Sequence, residues 1–207
     1  MGDKYLATAS PEQRRLKDTE LVVPICFGTV AWWLGKKADE YHSHRWTVYA
    51  RGPNNEDLSH IISKVSFQLH PSFAVPVRHL EKAPYEVTEI GWGEFEIGIT
   101  IHFNPLSGEK PVELVHGLKL YAENEAQTTK KPVVKESYEE IVFSEPSEAF
   151  YKQAVAVQPG PGAASEHAAH FLTHSDRSEL AVLQHARNKI SAQMAQAKQQ
   201  VAALGAM

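Results

Sequence analysis

The chain has 207 residues, 43% of them apolar and 22% charged, with a formal net charge of −4. That length suits one domain of roughly 100–150 residues plus an appendage, and the acidic balance argues against wholesale phosphate-backbone binding. No apolar run approaches the roughly 18 residues of a membrane span, residues 1–20 lack a signal-peptide apolar stretch, and the one cysteine, Cys26, excludes an internal disulfide or a multi-cysteine metal site.

In chain order, a strand is expected over residues 21–27, where Pro24 suits an edge or a strand start. Cys26 lies in this apolar run and reads as a buried, inert thiol. Trp46, Val48 and Ala50 alternate with Arg45, Thr47 and Tyr49; Val65, Phe67 and Leu69 alternate with Lys64, Ser66 and Gln68. Phe95, Ile97, Ile99, Ile101 and Phe103 alternate with Glu96, Gly98, Thr100 and His102, and Val112, Leu114, His116, Leu118 and Leu120 follow the same rule. Period-two patterns of this kind are half-buried strands. Turn residues separate them at 51–55, 70–72, 83–84 and 104–108. Short strands with regular punctuation and no intervening helical pattern imply an all-β antiparallel sandwich.

Beyond residue 146 the composition changes. Residues 158–165 (QPGPGAAS) read as a flexible linker. Leu180, Leu183, Arg187, Ile190, Met194, Ala197, Val201 and Leu204 then recur in alternating steps of three and four, a heptad seam. Asp176 with Glu179 resembles a capping box, and Gly205 can end the helix. Such a seam binds a partner or packs on its own domain; the Pro-Gly stretch before it favours a partner. The expected division is a polar segment 1–20, a β domain 21–146, a linker with short helical stretches 147–175 and a coiled-coil helix 176–205.

Several chemistries have no motif here. There is no glycine-rich phosphate cradle and no nucleophile elbow. His42 with His44, and His167 with His170 and His174, lack an accompanying Cys or carboxylate at metal spacing, so no metal is expected. His42 and His44 read as packing or hydrogen-bonding groups at a strand start, and His167 to His174 as a solvated helical stretch.

Two segments place aromatics beside turn residues: Leu69-His70-Pro71-Ser72-Phe73 and Gly91-Trp92-Gly93-Glu94-Phe95. Two flat rings and a hydroxyl suit a flat, neutral, hydrogen-bonding ligand such as an amide. The same pattern also fits core or corner residues, and Phe95 opens the cleanest inward alternation. Glu94 is expected to point to solvent.

These residues carry a resemblance. Pro24-Ile25-Cys26-Phe27-Gly28 with Gly35-Lys36-Lys37, His42 to Tyr49, Leu69 to Phe73, and Pro84-Tyr85-Glu86-Val87-Thr88-Glu89 running into Gly91-Trp92-Gly93-Glu94-Phe95 resemble a YEATS domain, as do Leu118-Lys119-Leu120 and Tyr138 to Phe143. A YEATS domain followed by a coiled coil resembles the Yaf-type subgroup, found as a shared subunit of histone acetyltransferase and histone-variant-exchange remodelling complexes. The resemblance implies an immunoglobulin-like sandwich that reads acylated lysines on histone tails, acetyl and crotonyl among them, with no catalysis and no cofactor, in the nucleus. It implies that Phe73 and Trp92 sandwich the acyl amide. Ser72 hydrogen-bonds the amide, the Trp92 N–H meets the acyl oxygen, and His42, His70, Gly91, Gly93 and Phe95 complete the walls. Phe73 stands where a close relative has Tyr, and the C-terminal helix is shorter and richer in Ala and Gln than is usual in the subgroup. A scaffold that binds protein partners through the sandwich and helix, without acyl specificity, is the alternative.

Overall fold

In the computed structural model, residues 14–123, 126–174 and 177–204 are described. The chain divides into two units, residues 1–172 and 173–207. The first unit holds β1 (Glu20–Trp33), β2 (His44–Arg51), β3 (Ile62–Gln68), β4 (Val77–Leu80), β5 (Tyr85–Gly91), β6 (Glu96–Phe103), β7 (Val112–Gly117), β8 (Val133–Ser144) and a helix α1 (Glu148–Ala156). They form two four-stranded sheets, β5-β2-β1-β8 and β4-β3-β6-β7, with every pairing antiparallel. This is the expected sandwich.

The alternations become its core. Ile97, Ile99 and Ile101 of β6, Val65 and Phe67 of β3, Trp46 and Val48 of β2 and Ile25 of β1 are all at most 1% exposed. Burying such side chains is worth about 1.5–3 kcal/mol each. The register is thereby pinned, because a one-residue slip would turn every one of them to the opposite face.

The first strand differs from the expectation. It runs fourteen residues and is central, pairing with β8 over Glu20–Ala31 and with β2 only from Cys26 onward. Pro24 therefore has a paired strand on one side only, which is how a proline is accommodated in a central strand. Gly28 interrupts the apolar run because a side chain there would lie 2.4 Å from the Lys135 carbonyl oxygen and 2.9 Å from the Tyr49 hydroxyl. Strands β4, β5 and β8 lack a clean period-two signal: β8 alternates Lys135, Ser137 and Glu139 on the side facing the second sheet, and only Ile141 and Phe143 are buried there. In the fourth alternation the ladder stops at Gly117. Leu118 and Leu120 still turn inward, held where the Leu118 N–H donates to the Phe95 carbonyl at 2.9 Å.

The stretch 158–165 is not a free linker. Pro161 bridges Glu56, the Asp57 N–H donates to the Gly160 carbonyl at 2.9 Å, and the Gly162 N–H donates to Asn55 at 2.7 Å. A side chain on Gly162 would lie 2.5 Å from the Asn55 oxygen, so only glycine allows this approach. The chain then crosses the outer face of the β5-β2-β1-β8 sheet. His167 is 3% exposed, and its Nε2 lies 2.9 Å from Thr47 Oγ1. The His170 ring meets Trp32 edge-on at 5.0 Å, and Phe171 covers Tyr49 and the Arg51 guanidinium at 4.6 and 4.5 Å. His167 and His170 are thus packed against the sheet rather than solvated, with Ala168–His170 forming a 3-10 turn. Thr47, Tyr49 and Arg51 point outward from the sandwich and are nevertheless buried, because this strap lies over them.

Residues 14–16 pair with the segment around Pro146–Glu148. The second unit holds one helix, α2 (Arg177–Leu204), on which Leu180, Leu183, Ile190 and Met194 are exposed. Asp176 and Gly205, the expected helix ends, lie outside the described residues. No described helix is long and apolar enough to cross a membrane.

Candidate functional site

The two aromatic segments meet. A cleft of about 490 Å³ is lined by Tyr41, Trp46, His70, Ser72, Phe73, Ile90, Gly91, Trp92, Gly93, Glu94 and Phe95. The β3–β4 connection supplies one wall and the β5–β6 turn the other. Pairing of His44 with Gly91 brings the end of β5 beside the start of β2, so Trp46 becomes the floor under both.

The first wall is a tight turn. The Phe73 N–H donates to the His70 carbonyl at 3.1 Å, and the Leu69 N–H donates to Pro76 at 2.7 Å. The Ser72 N–H lies 3.2 Å from His70 Nδ1. The Ser72 hydroxyl is 2.8 Å from the same nitrogen and remains exposed to an incoming amide. This serine–histidine contact is a turn bond between residues two apart. Phe73 is seated edge-on against Trp46 at 5.8 Å and tilted against Phe95 at 5.9 Å. Phe95 also packs on Trp46 and His70, so it is both a core neighbour and a cleft wall.

In the second wall, Trp92 is 58% exposed and its one ring neighbour among the described residues is Tyr41, edge-on at 6.5 Å. Glu94 is exposed, as expected, but its carboxylate is also tied down. Its Oε1 accepts the N–H groups of Leu120 and Tyr121 at 2.8 and 3.3 Å, and its Oε2 lies 3.5 Å from Lys119 Nζ. Partial burial opposes its charge, but the two N–H donors and the ammonium outweigh that and hold the carboxyl below its ordinary value. A short acidic side chain after Gly93 therefore ties the Trp92 turn to the segment after β7.

Seven of the eight sequence-predicted residues, His70, Ser72, Phe73, Gly91, Trp92, Gly93 and Phe95, line this cleft. His42 does not. It stands in a turn where its Nδ1 lies 2.9 Å from both Asp39 oxygens, and its side chain is 64% exposed; that contact is the main reason the Asp39 carboxyl titrates below its usual range. Tyr41, one residue earlier, reaches the cleft instead. His44 is buried between Ser43 and Gln127 and, losing solvent, resists protonation. Sequence reasoning missed Tyr41, Trp46 and Ile90. Trp46 reads as one more inward residue of an alternating strand, and only the β2–β5 pairing marks it as the floor. Cys26 is fully buried and burial pushes its thiol up to about 12, which leaves it unreactive at neutral pH.

Residues 41–122 match the model of the YEATS family. The chain is 56% identical over 147 residues to transcription initiation factor TFIID subunit 14b of Arabidopsis thaliana, covering 70% of this chain and 55% of that protein. It is 39% identical over 159 residues to the protein AF-9 homolog of Eremothecium gossypii, covering 73% and 76%. Among solved structures, the Yaf9 YEATS domain bound to H3K27ac superposes with a TM-score of 0.62 at 38% identity, covering 69% of this chain and 99% of that one. The Yaf9 YEATS domain recognising an H3K122suc peptide gives 0.59, also at 38%. With sandwich, cleft motifs and relatives in agreement, the chain belongs to the YEATS family.

Proposed function

We propose that the chain is a nuclear reader of acylated lysine on histone tails and a non-enzymatic subunit of a chromatin or transcription complex. The observation that carries this reading is the cleft between exposed Trp92 and seated Phe73, with Ser72 at its edge. A flat amide stacks between two rings. The Ser72 oxygen accepts its N–H, and the Trp92 backbone N–H donates to its oxygen. Acylation removes the lysine charge, so the side chain enters an aromatic slot at far lower desolvation cost than an ammonium does. The one carboxylate in the lining, Glu94, is occupied by two backbone N–H groups and Lys119, which leaves this cleft poorly suited to a cation. The relatives supply matching chemistry: Yaf9 YEATS domains bind H3K27ac and H3K122suc peptides. Titration with matched acetylated, crotonylated and unmodified histone H3 peptides tests the reading; equal affinities for all three would overturn it.

The exposed seam of α2 supports docking to other subunits as a coiled coil, in complexes such as histone acetyltransferase or histone-variant-exchange assemblies, and the Arabidopsis relative is itself a TFIID subunit. Cutting after Leu172, where the first unit ends, should leave peptide affinity intact and abolish co-purification with partner subunits. A truncated chain that still enters its complex would show that α2 is not the docking element. The same pair of measurements separates a scaffold without acyl specificity, which keeps the complex and lacks the peptide preference.

A further inference from the structure

The cleft floor carries a polar group with no partner. Trp46 is fully buried and its indole Nε1 has no hydrogen-bond acceptor. Buried polar groups in folded proteins are nearly all paired, so each exception calls for an explanation. The other such indole among the described residues, Trp32, lies under the strap against the His170 ring and away from the cleft. The rings of Phe73 and Phe95 beside Trp46 stand at steep angles to the indole, and an aromatic face is a weaker acceptor than an oxygen.

The way to this donor is marked by Gly91. A side-chain carbon there would lie 3.5 Å from Trp46 Nε1 and 3.9 Å from Phe73 Cζ. The missing side chain leaves a niche bounded by the indole N–H and the tip of the Phe73 ring, beside the backbone of Trp92. An acyl group whose amide is held by Ser72 and Trp92 would extend its chain past that ring tip. Phe73 is only partly buried, so its ring edge can give way to an entering chain.

We propose that Trp46 Nε1–H is a third polar anchor of the cleft, selecting short acyl chains that carry a hydroxyl oxygen beyond the amide, such as 3-hydroxybutyryl. This rests on the acyl-lysine reading and adds a ligand class to it. A neutral hydroxyl fits the niche better than a charged end group because an apolar, ring-lined space penalises the hydroxyl less. It supplies the acceptor that the indole lacks, and butyryl, of the same length, does not.

The test uses the full chain and histone H3 peptides of one sequence, each carrying a single acetyl-, butyryl- or 3-hydroxybutyryl-lysine at the same position. A neutral hydrogen bond corresponds to about a three- to tenfold gain in affinity, so 3-hydroxybutyryl should bind tighter than butyryl by that factor. Trp46→Phe keeps an aromatic floor without the donor and should bring the ratio to about one. Gly91→Ala fills the niche at ordinary contact distance and should weaken 3-hydroxybutyryl more than acetyl. In the unaltered protein, the Trp46 indole N–H resonance should move downfield with the 3-hydroxybutyryl peptide and not with the butyryl peptide, a readout that does not depend on how a variant folds. An equal affinity for the two four-carbon groups, or an unmoved indole resonance, overturns the inference while acetyl binding keeps the reader function. Absence of binding to any acylated peptide overturns the reader function itself.

Discussion

The outer face of the β5-β2-β1-β8 sheet and the aromatic cleft are both built from polar groups among aromatic rings, and they treat those groups differently. Under the strap the charged and phenolic donors find acceptors. Arg51 reaches Glu136 at 2.8 Å with side chains 7% and 0% exposed, Tyr49 donates to the same carboxylate at 2.5 Å, and Arg51 also donates to the carbonyls of Gly52, Pro53 and Leu172. With burial and Glu136 both opposing its ionisation, the Tyr49 phenol is pushed well above its usual range. In the cleft an exposed ring and a serine hydroxyl stay accessible, and the indole N–H beneath them is buried without an acceptor. A satisfied polar network holds the fold, whereas an unsatisfied one facing a cavity is available to a ligand.

Glu136→Ala should give the largest effect. Removing one partner of a buried ion pair leaves Arg51 charged and uncompensated, at about 3–5 kcal/mol. Urea unfolding should record that loss, while acyl-peptide affinity of the folded fraction stays the same. A loss under about 1 kcal/mol, the range of an exposed pair, would mean that the strap admits water and the contrast between the two faces is false.

Trp92→Ala should do the reverse. Aromatic stacking is worth about 0.5–1.5 kcal/mol beyond the area it buries, enough with that area to remove measurable binding to a weak ligand. Because Trp92 is 58% exposed, the melting temperature should hardly move. A folded Trp92→Ala protein with unchanged affinity would dissolve the cleft assignment.

Ser72→Ala should weaken acetyl and crotonyl peptides alike, by about 1–3 kcal/mol, since both present the same amide and that amide, once covered by the cleft, loses the same acceptor. A tenfold shift in the crotonyl-to-acetyl ratio at constant overall affinity would instead place Ser72 along the acyl chain.

The smallest effect concerns pH and separates the core from the cleft. His116 is buried between the sheets, its Nε2 3.2 Å from Thr29 Oγ1, and burial with a minor contribution from Lys135 pushes it down to about 4. Burial likewise lowers His44 and His102. A histidine with a depressed folded pKa is protonated first in the unfolded chain. Stability should therefore fall as pH drops from about 6.5 towards 4 and then lose nothing further from this group. Urea midpoints measured across that range check the sign; a flat profile would show that these imidazoles reach water.

The strands with strict alternation were readable because one face of each is buried and the other is not. β6 is the clearest case, with Ile97, Ile99 and Ile101 inward and Thr100 and His102 outward. β8 was not, since part of its inner row is charged, and β2 shows the limit from the other side: beyond Arg45 its outward residues are as buried as its inward ones because a distant segment covers them. The strap itself looked like a linker, as Pro and Gly are the residues of both flexible chain and close backbone approach. At the cleft, glycines around an aromatic and a serine before another were visible. Tyr41 in place of His42 was not, because which of two adjacent residues turns toward the cleft depends on the turn closed by Asp39.

By itself the amino-acid order determined the period-two core, the turn-borne pair Ser72 and Phe73, the glycine-flanked Trp92 and the heptad seam of the last helix. These are local patterns, governed by backbone geometry and the partition of apolar side chains from water. Tertiary structure alone decided that β1 is central, that Trp46 floors the cleft, that Glu94 ties two loops and that residues 160–172 seal a buried ion pair. Each of those outcomes is a pairing between segments far apart in the chain, where the partner that satisfies a hydrogen bond or covers a ring is chosen by the fold.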